Sequence, residues 1–127
     1  ALVDGERSME RMRAIVSITS QRTGVGLYLC RPDGLCEWVN EPLAEMFGLD
    51  KDAMMGFGWL ASVANREDAH AAWVFSVKNG TPYEHSYTVV NQRTQEVFKA
   101  HTKAYKHMSV DGKTPLCYVG FVEKLKA

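Results

Sequence analysis

The sequence carries no surplus of charge, no long apolar run and no even set of cysteines, and each absence excludes a class of protein. Fifteen Lys and Arg stand against fifteen Asp and Glu in 127 residues, a formal net charge of zero. A nucleic-acid binder, or a protein held to an anionic membrane surface, needs a broad positive field, so no nucleic acid and no membrane is an expected partner. No apolar stretch approaches the ~20 residues that span a bilayer. The first residues lack the basic and apolar blocks of a signal peptide. The three cysteines, Cys30, Cys36 and Cys117, contain no Cys-x-x-Cys and leave one over, whereas an oxidised secreted framework uses an even set. A reducing, cytoplasmic location is the expectation. A bound metal has as little support, because no two His or Cys share a helix face at i, i+4.

What is present is enough for a core. Hydrophobic residues make up 46% of the chain, with five Tyr, five Phe and three Trp, sufficient for one domain that folds without staples. The chain starts without Met and ends in a helix-compatible Glu-Lys-Leu-Lys-Ala, and is expected to be a piece of a longer protein. Residues 4–20 read as an amphipathic helix, with Met9, Met12 and Val16 on one stripe. Residues 1–24 are therefore taken as a leading helical unit and 25–127 as the domain proper. Two short β-prone runs, 26–31 and 36–39, flank the turn Pro32-Asp33-Gly34. Asn40 followed by Pro42 starts a short helix, and Gly48 stops it. Asp50 caps another short piece through Met55, and 57–60 is irregular and apolar. The longest helix starts at Asn65 or Arg66 and runs to Asn79, with Ala69, Trp73 and Val77 on one face.

Three strands follow. Residues 83–90 put Tyr83, His85 and Tyr87 on one side, and 97–108 put Phe98, Ala100, Thr102 and Ala104 on one side. Residues 116–122 are apolar throughout, as in a central strand buried on both faces. Helices grouped between blocks of antiparallel strands make an α+β domain.

Four stretches carry a family likeness. They are Asp33-Gly34 with Glu37-Trp38-Val39-Asn40; Leu43 with Phe47-Gly48; Trp59-Leu60 through Trp73 to Gly80-Thr81-Pro82-Tyr83-Glu84; and Asp111-Gly112 with Tyr118-Val119-Gly120-Phe121-Val122-Glu123. In this order they resemble the PAS sensor domain of bacterial signal-transduction proteins. Two stretches depart from the family pattern: Val63-Ala64-Asn65-Arg66-Glu67-Asp68 blurs the Pro-Glu-Asp segment, and Lys124-Leu125-Lys126 replaces the usual exit motif. The resemblance implies a five-stranded antiparallel sheet with helices on one face, and a sensory module that relays a conformational change. It would be the input domain of a larger regulator such as a histidine kinase or a cyclic-dinucleotide enzyme, with the effector domain beyond this chain.

The resemblance also implies a homodimer, through the leading helix and the outward side of the last strand. Its candidates are Met9, Met12, Val16, Cys117, Val119 and Phe121, with Tyr118, Gly120 and Val122 turned inward. The candidate pocket for a small ligand is formed by Tyr28, Phe47, Trp59, Trp73, His85, Tyr87, Tyr118 and Val122. No cofactor is the first expectation. Haem sensors of this family use a His on the long helix, which makes His70 the alternative ligand; otherwise His70 is a surface residue beside Glu67 and Asp68. A light-reactive flavin is disfavoured, since 59–63 holds no thiol and Val122 stands where a flavin-contacting Gln is usual; non-covalent flavin stays open.

Cys30 and Cys36 flank the hairpin turn and would form a redox pair if they approached. No basic residue is placed to lower either pKa, so two isolated thiols are preferred. A small cupped α+β enzyme is the remaining alternative, and it requires a carboxylate beside His85 inside the cup.

Overall fold

One buried side chain joins the start of the sheet to the first helix. Asn40 accepts hydrogen bonds from the Leu43 N–H at 3.1 Å and the Leu27 N–H at 2.9 Å, and its amide donates to the Val25 carbonyl at 3.0 Å. It is fully buried, so its polar groups must find these partners. Asn40 caps α1 (Glu41–Phe47), and Pro42 sits in the first turn, where its missing N–H costs nothing. At the far end Gly48 takes the left-handed conformation (φ 67°). A Cβ there would overlap Asn91, whose amide donates to the Glu45 carbonyl at 2.8 Å.

The computed structural model describes Ala14 and residues 24–125. Apart from Ala14, the leading helix expected over 4–20 lies outside the described residues, as do Met9, Met12 and Val16. The strands are β1 (Gly26–Cys30), β2 (Cys36–Val39), β3 (Tyr83–Val90), β4 (Val97–Met108) and β5 (Pro115–Lys124). They form one sheet in the order β2-β1-β5-β4-β3, antiparallel throughout. Between β2 and β3 the chain makes α1, two short 3-10 turns (Asp52–Met54 and Gly58–Ser62) and α2 (Arg66–Asn79). The stretch around 57–60, expected to be irregular, is largely the second of these turns. The α+β reading and the five-stranded antiparallel sheet stand.

The helices pack on one face of the sheet. Ala69 and Trp73 of α2 are buried against the alternating positions Tyr83, Tyr87, Val89, Ala100, Thr102, Ala104, Tyr118 and Val122. The Trp73 indole donates to the Gly34 carbonyl at 2.8 Å, tying α2 to the β1–β2 turn. One expectation is corrected here. β5 is central in strand order, but its outer side is open among the described residues: Val119 is 44% exposed. Apolar character on both faces of β5 thus marks an uncovered surface as well as a buried one.

Asn40→Ala would strip the acceptor from two backbone N–H groups and remove the cap. The expected loss is about 2–4 kcal/mol of unfolding free energy in urea; a change under about 0.5 kcal/mol would show that the clamp is dispensable.

Candidate functional site

The inner face of the sheet and the helices enclose an aromatic cavity of about 30 Å³, room for roughly two water molecules. Residues from all five strands reach it: Tyr28 and Cys30 from β1, Cys36 and Val39 from β2, Tyr83 and Tyr87 from β3, Thr102 from β4 and Val122 from β5. Leu43 and Phe47 of α1, Met54, Trp59 and Trp73 complete the wall. The rings pack edge-on. Trp73 lies 4.8 Å from Tyr83 and 6.5 Å from Tyr28 between centroids, and Phe47 lies 6.4 Å from Tyr87.

Six of the eight residues expected to form a pocket therefore meet around one space: Tyr28, Phe47, Trp59, Trp73, Tyr87 and Val122. The other two do not line it. Tyr118 is buried behind Trp73, ring to ring at 5.2 Å. His85 is on the inner face, but its ring is stacked between Tyr83 and Tyr87, at 6.1 and 6.2 Å. Sequence reasoning missed the other lining residues: Cys30, Cys36, Val39, Leu43, Met54, Tyr83 and Thr102. The alternation that places Tyr28 inward does the same for Cys30, and that of β4 and β3 does so for Thr102 and Tyr83.

Two polar atoms in this region are buried without a hydrogen-bond partner among the described residues: the Tyr83 hydroxyl and His85 Nε2. Tyr83 lines the cavity with other atoms of its side chain, and its hydroxyl is closed off even to a water-sized probe. The Tyr28 hydroxyl is instead paired with the Thr102 hydroxyl at 2.7 Å. Burial pushes the Tyr28, Tyr83 and Tyr87 phenols well above the ordinary tyrosine range. The site is hostile to charge, and suited to a neutral guest.

The cysteines correct the sequence reading. Cys30 and Cys36 are not isolated: they are register partners across β1 and β2, and both line the cavity. The interaction of the two thiols lowers the Cys36 thiol and, with burial, raises that of Cys30, and the Cys36 thiol donates to the Trp38 carbonyl at 3.7 Å.

His70 is placed differently from either expectation. It packs edge-on against Phe57 at 4.7 Å between rings, and it is not part of the cavity wall. Neither haem on His70 nor a flavin fits the cavity in this conformation, since a space for two waters is far smaller than either ring system. The small-enzyme alternative finds no carboxylate or imidazole in the cavity lining. A carboxylate–imidazole–hydroxyl row does exist elsewhere: His101 bridges Glu84 at 2.8 Å and Ser86 at 3.1 Å. It lies exposed on the outer side of β3 and β4, not in the cup.

The raised phenols make a prediction about alkali. The folded chain keeps these protons where the unfolded chain releases them, so stability is full below the ordinary tyrosine pKa, about 10, and falls above it. The slope should approach about 1.4 kcal/mol per pH unit for each of Tyr28, Tyr83 and Tyr87. Tyrosinate absorbance and circular dichroism, followed together, should show these phenols ionising only as the fold is lost. Stepwise ionisation of all five tyrosines with the fold intact would contradict it.

No protein-family model matches the sequence, and no curated protein sequence matches it. Solved structures do. A PAS/PAC sensor domain of a diguanylate cyclase from Marinobacter aquaeolei superposes with a TM-score of 0.62 at 14% identity, covering 79% of this chain and 94% of that one. A sensory box histidine kinase/response regulator domain from Geobacter sulfurreducens gives 0.62 at 18%, covering 91% and 93%. The Rhodobacter sphaeroides LOV protein gives 0.69 at 19%, covering 94% and 68%. At these identities the likeness is one of fold, and it agrees with the strand order and the helix-covered face described above: the chain has the PAS sensor-domain fold.

Proposed function

We propose that this chain is a sensory input module of a larger signalling protein, with the aromatic cavity as its input site. The histidine kinase and diguanylate cyclase neighbours support a regulator of that general kind as its parent. A cytoplasmic location is consistent with the odd cysteine count, and no described helix is long and apolar enough to cross a membrane. The observation that carries the reading is the cavity itself, a space for about two waters walled by aromatic and aliphatic side chains from all five strands.

The relay element is β5. Its inner positions, Tyr118, Gly120 and Val122, are buried over the site, while Val119 opens outward. Side chains alternate along one backbone, so a guest that moves the inner set moves the outer set with it.

Xenon, which enters small apolar cavities, is the probe. Under xenon pressure, amide resonances of Tyr28, Tyr83 and Val122 should shift, and those of Val119 and Phe121 should follow. Val122→Leu, which fills the space, should suppress both. Shifts that avoid the cavity residues, or that survive its filling, would refute the input site.

The outer face supports the second part of the proposal, a homodimer. Tyr105 is 54% exposed beside Val119, its register partner, and its ring lies 6.4 Å from that of Phe121. With Cys117 half-buried on the same side, these residues form an apolar stripe of the kind that interfaces cover. Val119→Lys should move the mass measured by light scattering from dimer toward monomer. A dimer indifferent to that change would place the interface elsewhere.

A further inference from the structure

Cys30 and Cys36 face each other in the β1–β2 ladder. The Arg31 N–H donates to the Leu35 carbonyl at 2.8 Å, just beyond the pair. The N–H and carbonyl of Cys36 turn away from β1 and pair with Gly56, at 3.1 and 2.8 Å. A cross-strand pair with hydrogen bonds beside it and none of its own is the narrow kind, with Cα atoms about 4.5 Å apart. Disulfides form at Cα separations of about 4.4–6.8 Å. The backbone therefore already holds the two sulfurs within bonding reach. Both thiols are free, both are buried, and both line the cavity. Cys117 lies apart, on the outer side of β5.

Two properties of the cavity then converge on one class of guest. It has room for a molecule of about two heavy atoms. Its wall disfavours charge, so the guest is neutral. We propose that Cys30 and Cys36 are an oxidisable dithiol site that takes hydrogen peroxide and closes to an intramolecular disulfide. The proposal rests on the reading of the cavity as an input site, in that a small neutral molecule must reach it.

The chemistry balances. The Cys36 sulfur, as thiolate, attacks one peroxide oxygen. The O–O bond breaks, and the departing hydroxide takes up the proton that Cys36 released, giving water. Cys36 is now a sulfenic acid. The Cys30 sulfur attacks it, the S–O bond breaks, and the hydroxide leaves as a second water with the Cys30 proton. Two thiols lose two electrons in all, and one peroxide is reduced to two waters. Cys36 suits the first role because it lies beside Cys30 in the ladder and its thiol is shifted down where that of Cys30 is shifted up. A transient disulfide of this kind is compatible with a reducing compartment, where such bonds serve sensing more than structure.

The test uses the whole chain, reduced, freed of reductant and treated with hydrogen peroxide. Alkylation should then count one free thiol where there were three, with the mass lower by two hydrogens and a Cys30–Cys36 peptide on mapping. In Cys30→Ala, a sulfenic acid trapped by dimedone on Cys36 should replace the disulfide. Three thiols surviving, or bridging between chains through Cys117, overturns the proposal. Xenon entry without disulfide formation overturns the dithiol site alone; failure of both overturns the input site as well.

Discussion

Tyr28 leans across β5 because Gly120 has no side chain. The two are register partners in neighbouring strands, and a Cβ on Gly120 would overlap the Tyr28 ring. The ring passes over the glycine and its hydroxyl reaches Thr102 on β4, one strand further on. Three adjacent strands are joined by one side chain lying flat on the sheet. The rest of the interior is arranged around it. Trp73 stands edge-on to Tyr28 and carries the bond to Gly34, so α2 and the β1–β2 turn are positioned by the same ring. Gly120 is needed for space and not for its backbone angles, since it is not among the glycines with positive φ.

The periodic part of this arrangement was legible in the residues. Alternation grouped Phe98, Ala100, Thr102 and Ala104 on one side, because a strand with one face on a core repeats every two residues; in the last strand, apolar throughout, it was the family resemblance that turned Gly120 inward, and Tyr118 and Val122 with it. Asn40 and Gly48 bounded α1 through chemistry local to the chain. What depends on contacts between distant segments was not legible. A strand period assigns His85 to the inner face, but only the rings of Tyr83 and Tyr87 decide that it is sandwiched there and does not line the cavity. His70 meets Phe57, from a turn whose path no local signal gives. The pairing of Cys30 with Cys36 depends on a register shift between Leu29 and Cys30, and a shift of one residue reverses which side chains meet.

The chemical character of the cavity follows from its wall. Aromatic rings and aliphatic groups from every strand leave the paired Tyr28 and Thr102 hydroxyls and two thiols as its polar content. No carboxylate, imidazole, ammonium or guanidinium group is among the lining residues. The raised phenols express the same fact, since a medium that cannot solvate a phenolate cannot solvate an ionic guest either. The surface treats charge differently. Its ion pairs, such as Arg93 with Asp50 and Lys124 with Glu96, are exposed, and pairs of that kind contribute about 0–1 kcal/mol each. Charge on this domain belongs to its periphery, and the interior selects by size and neutrality.

The geometry of β5 joins interior to exterior under the proposed function. Gly120 touches Tyr28 from within, while its neighbours Val119 and Phe121 belong to the apolar outer stripe. Close-packed interiors do not absorb a displacement locally; they pass it on or rearrange. If β1 moves relative to β5, Tyr28 must move against Gly120, and the glycine offers no flexible side chain to take up the change. The same residue that lets the sheet close over the cavity therefore leaves the backbone of β5 as the only place for the displacement to go. The outer stripe is carried on that backbone.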